Sequence, residues 1–194
     1  MEKLDKKKVL AVVLIIALIA ALAGAVSLLY NSIDMFSNTP FSGSDDKPSQ
    51  YYTSLQKPLA IILVVAAIVA FTGVASGIAS FIVKNQKAKT ACLVISLVVV
   101  AAFLAFIIAA SYVWQGDYNK SYEYYADKFP HYITTSYQIS QKYAIYSGVM
   151  AVLIPQLVYF TVIAAVLLTV YLMDKKSATK AVEANDINSE NKGE

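Results

Sequence analysis

The stretch Val9–Tyr30, VLAVVLIIALIAALAGAVSLLY, runs for 22 residues without a charge. As an α-helix rising ~1.5 Å per residue it reaches ~33 Å, enough to cross a hydrocarbon core of ~30 Å. Three further blocks match it: Pro58–Val83, Thr90–Trp114 and Tyr143–Met173, the last stopped by Asp174-Lys175-Lys176. The apolar residues come as blocks rather than at helical spacing, which argues for membrane spans over a soluble core. Composition agrees, since 58% of the chain is apolar and only 15% is charged, against about a quarter charged in soluble domains. The fold class expected is therefore all-α: an integral membrane four-helix (tetraspan) bundle.

Lysine sets the expected orientation. All sixteen basic residues are Lys. Eleven flank one end of the spans: Lys3, Lys6, Lys7, Lys8, Lys84, Lys87, Lys89, Lys175, Lys176, Lys180 and Lys192. The two longer loops hold five: Lys47, Lys57, Lys120, Lys128 and Lys142. The positive-inside rule places the first group, and with it both termini, in the cytoplasm. Of fourteen tyrosines, all but Tyr159 and Tyr171 lie in or beside the two longer loops, and Trp114 sits on the same boundary. Aromatic rings favour that interface.

The chain then divides into a cytoplasmic segment 1–8, span one 9–30, outer loop 31–57, span two 58–83, cytoplasmic loop 84–89, span three 90–114, outer loop 115–142, span four 143–173 and a disordered cytoplasmic tail 174–194. Pro58 reads as a first-turn proline, and Pro155 as a kink inside span four. A rival reading takes Met1–Ala25 as a signal peptide cleaved near Ala23-Gly24-Ala25. Its apolar stretch is longer than the ~7–15 residues typical of such a segment, so four spans are preferred.

The outer loops differ in character. The first is rich in turn formers, including Pro40, Gly43 and Pro48, and reads as irregular. In the second, Tyr118, Tyr122, Tyr125 and Phe129 fall on one face of a helix that Pro130 would end. An amphipathic helix over the outer end of the bundle is the plain reading. An outer contact surface for a protein or glycan is the functional one. Ser-x-x-aromatic (Ser27–Tyr30, Ser111–Trp114) and Tyr-x3-Gln-Lys (from Tyr52 and Tyr137) recur at an offset of 84 to 85 residues. That hints at two helix–loop–helix repeats about an axis along the membrane normal.

Chemistry is sparse. No Asp, Glu or Lys lies inside the four spans, and intramembrane charge is the usual mark of an ion path or active site. Gly73 and Gly77 form a G-x-x-x-G beside Thr72, Ser76 and Ser80, and Ala17, Ala21 and Gly24 make a similar small-residue face in span one. These faces predict close helix packing. The alternative makes Thr72, Ser76, Ser80 and Gln156 a polar path. Gln156, next to Pro155, is expected to bond the carbonyl that the proline frees.

His131 is the sole histidine, and with Asp127 and Glu123 it makes too thin a set for zinc. Cys92 is the sole cysteine, which excludes an internal disulfide and reads as an inert buried thiol. The paired-cysteine loop signatures of tetraspanins and claudins are absent. Nucleotide-loop, nucleophile-elbow and H-E-x-x-H motifs are absent too. No catalytic residue, cofactor or metal is expected, and no nucleic-acid partner. The expected partners are the lipid bilayer and either another membrane protein or further copies of the chain. The leading role is a non-enzymatic scaffold or accessory subunit in the cell membrane. The alternative is a small transporter or channel subunit for an uncharged solute.

Overall fold

A computed structural model of the chain describes the backbone of residues 6–37, 47–128 and 136–190, and the side chains of 6–36, 57–116 and 146–179. Four helices follow in order: α1 (Lys6–Ser37), α2 (Lys47–Ile82), α3 (Gln86–Lys128) and α4 (Ser136–Glu190). There is no strand among the described residues. Each helix contains a segment long and apolar enough to cross a membrane: Lys6–Phe36, Lys57–Ile82, Gln86–Gly116 and Tyr146–Thr179. The four expected spans are all present, and the fold is an all-helical, multi-pass membrane bundle.

The helices form a ring in which α1 meets α2 and α4, and α3 meets α2 and α4. Across the ring α2 touches α4, whereas among the described residues α1 and α3 do not meet, so the cross-section is a rhombus with a short α2–α4 diagonal. The buried share of each span's most apolar window agrees: 50% for α2, against 28% for α1 and for α3. The core is built from Leu28, Leu63, Phe103, Leu153, Phe160 and Ile163, all fully buried. Phe103 of α3 stacks on Phe160 of α4 with centroids 5.5 Å apart, and meets Phe106 edge to face at 6.0 Å. Outward-facing residues such as Ile16, Ile19, Ile68, Val98 and Ile108 are exposed along the whole length. Such a surface suits the hydrocarbon of a bilayer, not water.

Several boundaries differ from the sequence expectation. Helix α2 begins at Lys47, so Pro58 lies inside the helix rather than in its first turn. Pro58 stands where the apolar run starts, and the carbonyl it frees, four residues back, therefore lies on the polar side, within reach of water. Helix α1 runs to Ser37, so both ends of the expected first loop are helical. Helix α3 continues unbroken from the third span through the Tyr-rich stretch to Lys128, two residues before Pro130. That stretch thus extends a span rather than starting a separate element. Helix α4 runs to Glu190, where the polar composition of 174–194 predicts a disordered tail. Ala178, Ala181, Glu183 and Ala184 are strong helix formers, and no Gly or Pro intervenes before Gly193. Phe129, His131 and residues 191–194 lie outside the described residues, as do the side chains of Tyr118, Tyr122 and Tyr125.

The ring is also the arrangement that a twofold along the bundle axis would give, but the residues equated by the 84-residue offset make different contacts. Ser27 sits under the Asn31 amide of its own helix. Ser111 pairs with the Tyr146 hydroxyl of α4 at 3.1 Å.

Candidate functional site

The small-residue faces meet large side chains from neighbouring spans of the same chain. A Cβ placed on Gly73 would strike the Phe160 ring of α4, and one on Gly77 would strike Leu18 of α1. A Cβ on Gly24 would strike the Gln156 amide of α4. Each glycine is therefore a slot filled from within the bundle. Ala17 and Ala21 are buried on the same face of α1.

Gln156 is fully buried. Its Nε2 donates to the Ala21 carbonyl of α1 at 2.9 Å. This differs from the expected bond to the carbonyl freed by Pro155: the amide ties α4 to α1 instead. Because the Ala21 carbonyl belongs to a regular helix, it already has a backbone donor and here accepts a second. Among the described residues Gln156 Oε1 finds no partner, nor does the fully buried Ser96 Oγ of α3.

The four residues of the sequence-derived polar path do not converge. Thr72 is exposed and donates to the Ile68 carbonyl of its own helix at 2.9 Å. Ser76 is buried and donates across to the Cys92 carbonyl of α3 at 3.2 Å. Ser80 donates to the Gly77 carbonyl at 2.6 Å. Gln156 faces α1. Cys92 is buried and free. Among the described residues, no three His, Cys, Asp or Glu side chains gather as a metal site would need.

At one end of the bundle lies a feature the sequence reading did not single out. Asp174, just past the apolar run of α4, accepts Lys7 of α1 on Oδ1 at 3.1 Å and Lys89 of α3 on Oδ2 at 3.2 Å. These bridges place the start of α1, the start of α3 and the end of the fourth span together, as antiparallel neighbours require. Beneath them is a cavity of about 170 Å³. Its walls are Leu10 and Leu14 of α1, Phe81 of α2, and Val166, Leu167 and Val170 of α4. Lys7, Lys89, Ser80 and Tyr171 supply the polar lining. The site is thus amphipathic, with an apolar floor and, at its rim, two lysines that share one carboxylate. Its sequence signal was an acid set directly against the end of the fourth apolar run, beside Lys175 and Lys176.

The opposite end carries aromatic rings. Trp114 of α3 stacks on Tyr146 of α4, with centroids 4.6 Å apart and planes 24° from parallel.

No protein-family model matches this chain, and no curated protein or solved structure matches it.

Proposed function

We propose that the chain is a non-enzymatic scaffold or accessory subunit of a complex in the cell membrane, with both termini in the cytoplasm. The observation that carries this reading is the internal use of every small-residue face: Gly24, Gly73 and Gly77 each seat a side chain of another span. The middle of the bundle is filled by Phe103, Phe160, Leu63 and Gln156. What remains for outside contact is the apolar belt, above all on α1 and α3, which do not cover one another. A membrane-protein partner that docks on this belt suits such a bundle better than a solute does. The transport alternative has less support, because Thr72 faces outward while Ser76 and Gln156 are spent on contacts between helices.

The test is extraction in a mild detergent, purification by a C-terminal tag and identification of what co-purifies by mass spectrometry. A stoichiometric second protein supports the subunit reading. A homogeneous species holding this chain and lipid alone overturns it, and turns attention to solute flux in liposomes.

A further inference from the structure

We propose that the cavity at the lysine-rich end binds an anionic glycerophospholipid, with its phosphate between Lys7 and Lys89 and one acyl chain entering toward Leu14. This goes beyond the subunit role and does not depend on it. Lys7 and Leu14 are seven residues apart on one helix, so the wall descends ~10 Å from rim to floor. The lining along that descent is aliphatic, with Leu10 above Leu14 and Val166 and Leu167 opposite. A dry aliphatic cavity of ~150 Å³ holds a benzene-sized molecule, so about 170 Å³ takes the first roughly six carbons of a chain.

The rim is already shaped for an anion. Lys7 and Lys89 come from different helices and each meets a separate oxygen of Asp174. Two ammonium groups so placed converge on a centre that carries two anionic oxygens, which is what a phosphodiester presents. Around the rim Lys6, Lys8, Lys84, Lys87, Lys175 and Lys176 are all exposed. Such a surface concentrates anionic headgroups. A free phosphate would leave the aliphatic floor unused, and a zwitterionic lipid would bring an ammonium against the lysines. These features favour a lipid of net negative headgroup.

The test uses the full chain in phosphatidylcholine vesicles with trace spin-labelled phosphatidylglycerol or spin-labelled phosphatidylcholine, reading the immobilised fraction by electron paramagnetic resonance. The wild type is expected to prefer phosphatidylglycerol. Lys7→Gln with Lys89→Gln is expected to lower that preference about thirtyfold, the loss that two lysine contacts with an anionic headgroup imply. Ala11→Phe fills the cavity and leaves every charge in place, and is expected to abolish the preference as well. Lys84→Gln with Lys176→Gln removes equal charge away from the cavity and is expected to leave it. Thermal melting in the same vesicles checks folding; if the Lys7/Lys89 double variant does not fold, Lys7→Gln alone and Ala11→Phe decide. Equal retention of both lipids by the wild type, full preference in Ala11→Phe, or equal losses in the two lysine pairs would each overturn the proposal. Displacement of the lipid by inorganic phosphate at constant ionic strength would also overturn it, by making the ligand a free anion.

Discussion

The Gln156 amide of α4 reaches the Ala21 carbonyl of α1 through the gap left by Gly24, closing the bundle between its first and last spans. Two terms oppose one another at this residue. A hydrogen bond between membrane helices contributes on average ~0.6 kcal/mol. The unpaired, buried Oε1 costs ~1–3 kcal/mol. Gln156→Leu is therefore expected to be neutral or mildly stabilising, while Gln156→Ala opens a cavity and costs ~2–4 kcal/mol. Reversible unfolding in mixed micelles measures both, and equal losses would show that the amide bond outweighs the volume.

The glycines of the second span are not equivalent. The Phe160 ring over Gly73 is pinned by its stack on Phe103, whereas Gly77 is met by a terminal methyl of Leu18, the end of a flexible side chain. Gly73→Ala is expected to cost ~1–3 kcal/mol through overpacking. At Gly77 the gain in helix propensity, ~1 kcal/mol, offsets most of a smaller clash. Adding Phe160→Leu should rescue Gly73→Ala; a failure to rescue would place the clash elsewhere.

The two ion pairs on Asp174 are partly exposed, with the Lys7 side chain 57% accessible. Such pairs contribute ~0.2–1 kcal/mol each. Asp174→Asn is expected to lower stability by ~1 kcal/mol at low salt, and by less in high salt, where the charges are screened. A loss independent of salt would point to packing at the helix end instead.

Cys92 is 7% exposed, and its carbonyl accepts the Ser76 hydroxyl. A small thiol reagent should leave it unmodified in the folded protein and label it fully after denaturation. Rapid labelling of the native protein would mean that the α2–α3 contact opens.

Orientation has its own assay. In a Cys92→Ala background, Lys84→Cys and Gly116→Cys put thiols at exposed positions at opposite ends of the third span. An impermeant maleimide should label Gly116→Cys on intact cells and Lys84→Cys only after permeabilisation. The reverse pattern would invert the topology.

The spans were legible because charge stops where each apolar run begins: Lys8 before Val9 and Asp174 after Met173 mark edges that no propensity scale needs to refine. The slots at Gly24, Gly73 and Gly77 were legible as faces, since helical period says which residues lie side by side. Their occupants were not, because period carries no information about which helix arrives opposite. Gln156 shows the limit: a nearby proline offered a local partner, and the residue 135 positions away won. The cavity was hidden for the same reason, since Lys7 and Asp174 are 167 residues apart and meet only through the bundle. Pro58 misled because the polar stretch before it reads as loop, while the helix begins at Lys47.

The ring order has a consequence for biogenesis. Spans enter the membrane in the sequence of synthesis, and α1 first finds α2, with Leu18 settling over Gly77. Its second neighbour is α4, made after both α2 and α3. Until then the notch at Gly24 faces lipid and the carboxylate that ties Lys7 to Lys89 does not yet exist. Closure of the ring thus waits for the synthesis of α4, and a ribosome that stalls before α4 leaves a half-open bundle whose first helix lacks one whole side.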